Sequence, residues 1–198
     1  MCAPKRPSRF SARHGVTLIE VAAILSVLAT LAAVISPTVG SVFQRAKVAR
    51  ANMEVNAIAM ALVEYARDVK ILPGAERPDF GAPLVLVSDG DTPPPPSGNT
   101  LHWSQCPRAT LASYLVTRPE GFAGKWKGPY LPLTLRTDPW GHAYFINVGL
   151  MSERYGSAEQ KRAVFVISAG PNGVFDTPLD QLTIHAQVLG DDIAARIQ

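Results

Sequence analysis

Glu20 is the acidic residue whose surroundings place the strongest demand on its chemistry. Residues 21–44, which follow it, contain no charged side chain and consist mostly of Val, Ala, Leu and Ile. A run of this length crosses a hydrocarbon layer of about 30 Å as a helix. An ionised side chain well inside the bilayer costs about 2.5–3.5 kcal/mol on insertion scales. Glu20 therefore needs a cationic partner, and a plain membrane anchor gives no reason for its presence.

The basic residues of the chain are concentrated before this apolar run. Lys5, Arg6, Arg9 and Arg13 precede it, and these four cations exceed the net charge of +3 for the whole chain. By the positive-inside rule the first residues stay in the cytoplasm, so the chain after Arg45 lies across the membrane. The rest of the chain has no basic stripe, which argues against a nucleic-acid partner. A secretory signal peptide is also disfavoured, because no Ala-x-Ala cleavage site occurs in residues 16–44.

The apolar run continues into an amphipathic segment. Apolar residues recur there at alternating spacings of three and four, which places them on one face of a helix: Val48, Ala51, Val55, Ile58, Leu62, Tyr65 and Val69. The spacing predicts one helix over residues 16 to about 70. Its first half, residues 16–44, spans the membrane, and its second half, residues 45–70, packs on the exported domain.

The exported domain is predicted in two parts. Residues 71–136 are rich in proline and include four consecutive prolines at 93–96, so we expect loops and a short helix near residues 110–116. Residues 137–198 begin with the turn sequence Asp138-Pro139-Trp140-Gly141. Three strands are predicted after this turn: Ala143–Val148, Ala163–Ser168 and Leu182–Val188. The fold class is α+β, with a small antiparallel sheet laid on the long helix.

Enzyme motifs are weak throughout the sequence. His102, His142 and His185 are scattered and form no His-Glu-x-x-His or paired-cysteine pattern. The glycines at 121 and 124 are separated by two residues, where a phosphate loop needs four. No Gly-x-Ser-x-Gly elbow occurs either. We therefore expect no enzymatic activity.

The N-terminal segment resembles the cleavage signature of type IV prepilins and type II secretion pseudopilins. The residues that carry this resemblance are Gly15-Val16-Thr17-Leu18-Ile19-Glu20. The resemblance implies that a prepilin peptidase cuts between Gly15 and Val16 and methylates the new N-terminus at Val16. Residues 1–15 are then a basic leader peptide. It also implies that Glu20 neutralises the N-terminal amine of a neighbouring subunit during assembly.

Three later blocks resemble the major pseudopilin of type II secretion, the G subunit. In chain order they are Leu115–Pro119, Trp126–Leu131 and Asp138–Gly141. The stretch from Glu76 to Arg108 has no counterpart in the family and is treated as an insertion. The resemblance implies the type IV pilin-like fold described above. It also implies a location in the bacterial inner membrane, single-pass, with the C-terminal domain in the periplasm.

The segment from Ser168 to Asp180 resembles the calcium-binding loop of G-type pseudopilins. Calcium takes six to eight oxygen ligands, which the side chains of Asn172, Asp176 and Asp180 could supply together with loop carbonyls. The family often has Asp where this chain has Asn172. The alternative is a Gly, Pro and Asn turn with solvated aspartates.

The resemblance predicts a pseudopilin that polymerises into the periplasmic pseudopilus of a type II secretion system. Its implied partners are copies of itself, minor pseudopilins, the prepilin peptidase and the inner-membrane secretion platform. Two alternatives stay open at this point. One is a minor pilin of a type IV pilus, and the other is a membrane-anchored periplasmic binding module that keeps its N-terminus.

Overall fold

The described part of the chain forms two compact units. The computed structural model describes residues 15–70, 73, 84–93, 103, 106–118, 125–132, 137–151 and 161–197. The units are Met1–Gln44 and Arg45–Gln198. Helix α1, Leu18–Val69, contributes residues to both. Its bounds confirm the predicted helix. The predicted leader lies outside the described residues except for Gly15.

In the first unit α1 carries exposed apolar side chains, among them Leu25, Leu28 and Leu31. It is long and apolar enough to cross a membrane by length and composition. The polar side chains of this part bond to the helix itself. Ser26 donates to the carbonyl of Ala23 and Thr30 to that of Val27, both at 2.8 Å. Such internal bonding is what an apolar surrounding requires of hydroxyl groups.

In the second unit α1 buries the predicted face. Ala51, Val55, Ile58, Leu62, Tyr65 and Val69 are all fully buried, and Val48 is partly buried. Burial of an apolar side chain stabilises a fold by about 1.5–3 kcal/mol, so this stripe fixes the helix on the sheet. Tyr144 of the sheet region also donates a hydrogen bond to Glu54 of the helix. The prediction of an amphipathic second half is confirmed.

One five-stranded sheet faces the helix in the described residues. Its strands are β1 Val85–Val87, β2 Arg108–Thr110, β3 Phe145–Ile146, β4 Phe165–Ser168 and β5 Ile193–Arg196. Their order is β2-β1-β3-β4-β5, and only the β1 and β2 pair is parallel. The short helix α2, Ala112–Leu115, follows β2. The arrangement is α+β, as the sequence predicts.

The strand predictions were right twice and wrong once. β3 and β4 lie inside the predicted segments 143–148 and 163–168. Leu182 makes only an isolated bridge to Arg162, and Thr183–His185 form a 3-10 helix. Gln181 explains this difference, because its side-chain amide accepts from the backbone N–H of Gln187 at 2.9 Å and donates to the carbonyl of the same residue at 2.8 Å. These two bonds close a loop where the alternating pattern predicted a strand.

Two further strands occur where the sequence predicted loops or made no prediction. β1 and β2 lie in the proline-rich region, and β5 lies after the last predicted strand. Each is three or four residues long, which is too short to show a reliable alternation. The predicted short helix near residues 110–116 is confirmed by α2.

Aromatic residues hold the core next to the C-terminal loop. The rings of Trp103 and Phe175 stack with their centroids 5.6 Å apart, and Phe145 meets Phe175 edge-on at 5.0 Å. The indole N–H of Trp103 donates to the carbonyl of Thr177 at 2.9 Å. Asn147, which is fully buried, donates to the carbonyl of Leu179 at 2.7 Å. These contacts fix the main chain of the loop that carries the predicted calcium ligands.

Candidate functional site

The bond between Gly15 and Val16 lies in exposed, irregular chain immediately before α1. Val16 is 68% exposed, and a Cβ built on Gly15 would meet nothing within 4 Å. The backbone N–H of Glu20 bonds to the Thr17 carbonyl at 3.1 Å and to its hydroxyl at 3.3 Å, so Thr17 caps the helix. The cap ends the helix two residues after Val16. A peptidase therefore meets an extended and accessible bond here.

Glu20 lies in the first turn of α1 and is exposed. Its carboxylate makes no ion pair with any residue that the structure describes. A carboxylate in the first helical turn is favoured by the helix dipole, which contributes about 0.3–1 kcal/mol. That is less than the cost of holding the charge in a bilayer. The described chain thus leaves the need for a cationic partner unmet.

The second candidate site is the loop that follows β4, and the Asp138 turn supports its start. Oδ1 of Asp138 accepts from the backbone N–H of Trp140 at 3.0 Å and of His142 at 2.8 Å. Oδ2 accepts the hydroxyl proton of Ser168 at 2.6 Å, and that hydroxyl accepts from the N–H of Gly170 at 3.2 Å. The predicted turn is confirmed. Its buried carboxylate also ties the turn to the first residues of the loop.

The structure brings Asn172 and Asp176 together. Nδ2 of Asn172 donates to Oδ2 of Asp176 at 3.2 Å, and Oδ1 of Asn172 accepts from the N–H of Val174 at 2.7 Å. The loop reverses at Gly170 and Gly173, which have φ angles of 63° and 72°. Only glycine adopts such angles without strain. Two of the three predicted calcium ligands therefore lie in one tight turn.

Asp180, the third predicted ligand, has a different partner. Its carboxylate lies 3.9 Å from Nη1 of Arg162, which also donates to the backbone carbonyl of Asp180. No described hydrogen bond joins Asp180 to Asn172 or Asp176. A calcium ion shared by all three would compete with this ion pair.

Two aspartates that the sequence analysis did not single out close the loop. Oδ2 of Asp191 accepts from the backbone N–H of Asn172 at 2.9 Å. Oδ2 of Asp192 accepts from the N–H of Asp176 at 3.0 Å and of Thr177 at 2.7 Å. The sequence signal was the Gly190-Asp191-Asp192 run, in which Gly190 has a φ of 61°. A Cβ at Gly190 would come 1.8 Å from Oδ2 of Asp176, so only glycine fits against that carboxylate.

Asp192 is the most constrained acid of this loop. It is 8% exposed, and its Oδ1 is buried without a hydrogen-bond partner among the described residues. Burial raises the pKa of the Asp192 carboxyl to about 6, and the nearby charge of Asp176 raises it further, while the N–H groups of Thr177 and Asp176 oppose the shift. A bound cation would compensate the cost of ionising this group.

The described acids do not yet form a closed metal site. Within the described ranges, no group of three or more His, Cys, Asp or Glu side chains is arranged to hold a metal ion. The oxygen donors that approach one another are the side chains of Asn172, Asp176 and Asp192. Carbonyls of a glycine-rich turn can complete such a set, because calcium accepts them readily.

The long N-terminal helix and the small, mostly antiparallel sheet define the chain as a type IV pilin-like protein. Residues 101–185 match the family described as type II secretion system (T2SS), protein G. The match confirms the resemblance drawn from the three sequence blocks and supports a general secretion pathway pseudopilin. That family consists of structural subunits and is not a family of enzymes. No curated protein and no solved structure matches the chain.

Proposed function

We propose that the chain is cut between Gly15 and Val16, N-methylated at Val16, and polymerised into the pseudopilus of a type II secretion system. The observation that carries this proposal is the exposed bond two residues before a capped, apolar helix. The match to the secretion family supports it independently, because it rests on residues 101–185 and not on the N-terminus.

Glu20 is proposed to act in assembly. The cut at Gly15 creates a cationic α-amino group at Val16, close in depth to the Glu20 carboxylate. In one chain Glu20 has no described cationic partner, so the amine of a neighbouring copy is the group that fits. Such a pair would set the register between copies in the membrane.

The proposed location is the bacterial inner membrane, with the second unit in the periplasm. The four basic residues before Gly15 support this orientation. The proposed partners are further copies of the chain, minor pseudopilins, the prepilin peptidase and the inner-membrane platform of the secretion system. All of them follow from the proposed role as a filament subunit.

Intact-mass analysis of the membrane-bound protein tests the processing step. The proposal predicts a mature chain that begins at methylated Val16. The variant Gly15→Ala tests the same bond, because we expect it to retain the leader. A membrane-bound protein that keeps residues 1–15 in the presence of the peptidase would leave a membrane-anchored binding module in place of the pseudopilin.

We also propose that the loop after β4 binds calcium. Asn172, Asp176 and loop carbonyls would provide oxygen ligands, and the unpartnered Oδ1 of Asp192 adds a carboxylate oxygen. Asp180 would have to leave Arg162 to join this set. The ion would supply positive charge to a loop whose acids otherwise lie close together, and the chain's own residues would order the turn around it.

Calcium titration of the fragment 45–198, which forms a compact unit, tests this site. An ion that binds only the folded chain raises its stability by about 2.7 kcal/mol at a hundred times the dissociation constant. We expect a clear rise in melting temperature with calcium and a smaller one with magnesium. An unchanged melting temperature at millimolar calcium would mean that the loop is a turn with solvated aspartates.

A further inference from the structure

The second half of α1 has a second exposed stripe beside its buried one. Its residues follow at spacings of four, three, four, three and four, and all are exposed: Ala46, Arg50, Met53, Ala57, Met60 and Glu64. Met53 is 67% exposed and Met60 71%. Two large apolar side chains and two alanines on one helix face are unusual for a surface that meets only water. We call this stripe the donor face.

A groove runs between α1 and β5, which is an edge strand of the sheet. It has two hollows, of about 430 Å³ and 480 Å³. The first lies between Val48 and Asn52 of the helix and the segment Asp191–Ala194. The second lies between helix residues 56–67 and the end of β5 at Arg196 and Ile197. Both hollows share the same two walls, so we treat them as one α1/β5 groove.

The two ends of the groove carry opposite charge. Asp191 and Asp192 line the first hollow, and residues 163–195 contain no Lys or Arg. The second hollow is lined by Arg67 and Arg196, against the single acid Glu64 at its rim. Along the direction of α1 the groove therefore changes from acidic to basic.

The donor face changes charge in the opposite sense over the same length. Arg50 lies near its start and Glu64 at its end. The fourteen residues between these positions span about 21 Å of helix, and the distance from Asn52 to Arg67 along the groove is about 22 Å. Glu64 makes no ion pair with any described residue, which leaves its charge available. The charges of face and groove match only if two helices run parallel.

We propose that the α1/β5 groove receives the donor face of a second copy of this chain. Parallel packing is what subunits anchored in one membrane require, and this inference rests on the proposed polymerisation. Face and groove lie on different sides of one helix, so each copy can use both at once. Such a contact is heterologous and does not close on itself, which extends a row of copies into a filament.

Disulfide cross-linking of the full-length, membrane-inserted protein tests this contact. Matching Arg50 with Asp191 places Met53 beside β5, so the double variant Met53→Cys and Ala194→Cys should give a ladder of linked multimers on non-reducing gels. Each single variant should give no ladder, because Cys106 is buried. A ladder shows that one copy's face meets another copy's groove. Linked dimers alone, or no ladder from assembled filaments, would overturn the groove assignment.

Substitutions test the contact by a different route. Met53→Glu should lower the yield of sheared filaments by about tenfold or more, whereas Ile184→Glu should leave the yield unchanged. Ile184 is a matched control, since it is 77% exposed and lies outside face and groove. Glu64→Arg should also reduce the yield, and the second change Arg196→Glu should restore it. Normal filaments from Met53→Glu would overturn the contact.

The outcomes separate this contact from the proposed function. Processing of every variant is checked by intact mass, and its fold by resistance to protease. If wild-type protein is processed and assembles while the groove variants behave like wild type, the groove assignment fails and polymerisation stands. If mature wild-type protein forms no filaments together with its secretion platform, the proposed function fails and this contact fails with it.

Discussion

Glu20 and Asp192 are both carboxylates without a cationic partner in the described chain, but they reach that state by different routes. Glu20 is exposed in the first turn of a helix, and only the apolar residues around it make its charge costly. Asp192 is buried, accepts two backbone N–H groups, and still has one oxygen unpartnered. The first carboxylate is left for another copy of the chain. The second is left for a proton or a bound ion.

The largest expected effect is on assembly, at Glu20. The variant Glu20→Ala should insert and be processed, but its yield of sheared filaments should fall at least about tenfold, because no carboxylate remains to neutralise the neighbouring α-amino group. Glu20→Asp is the matched control, and we expect it to retain part of the assembly. Filament yields of Glu20→Ala equal to those of wild type would remove the pairing role.

Asp192 should decide the calcium response. In the fragment 45–198 the variant Asp192→Asn keeps an oxygen that can accept from Asp176 and Thr177, so the loop should remain folded. Its carboxylate charge is lost, and the rise in melting temperature with calcium should be lost with it. A calcium response equal to that of wild type would show that Asp192 is not a ligand.

The stability of the calcium-free fragment should depend on pH through the same group. The pKa of Asp192 is raised to about 6 from 3.8, so between these values the folded state binds more protons than the unfolded state. Stability should therefore fall as the pH rises from about 4 to above 6. Chemical denaturation in a chelator, compared between wild type and Asp192→Asn, measures this contribution. An equal pH dependence in both proteins would assign the loss to other groups.

The smallest expected effect is at Asp180. Its carboxylate is 40% exposed and 3.9 Å from Arg162, and exposed pairs of this kind contribute about 0–1 kcal/mol. Asp180→Asn should change the free energy of unfolding by less than about 1 kcal/mol, and the calcium response should persist. Loss of that response would restore Asp180 to the ligand set and show that calcium displaces Arg162.

Features with a regular spacing could be predicted from the sequence. The buried stripe of α1 appeared as predicted because each position follows from the helical period. The Asp138 turn was also predictable, since its carboxylate bonds to residues two and four places later. The segment 182–188 shows the limit of such reasoning. Its alternation is typical of a strand, but the side chain of Gln181 bonds to Gln187 and closes a loop instead.

The sequence by itself determined the apolar helix, the position of Glu20 and the exposed bond before it, because each depends on residues within a few places of one another. Only the tertiary structure decided the acidic loop and the α1/β5 groove. Asn172 and Asp191 are 19 positions apart, and the groove joins residues of α1 to residues at the C-terminal end. Neither spacing has a period that a local pattern could reveal. Contacts of this kind form only when the sheet packs on the helix and brings distant segments together.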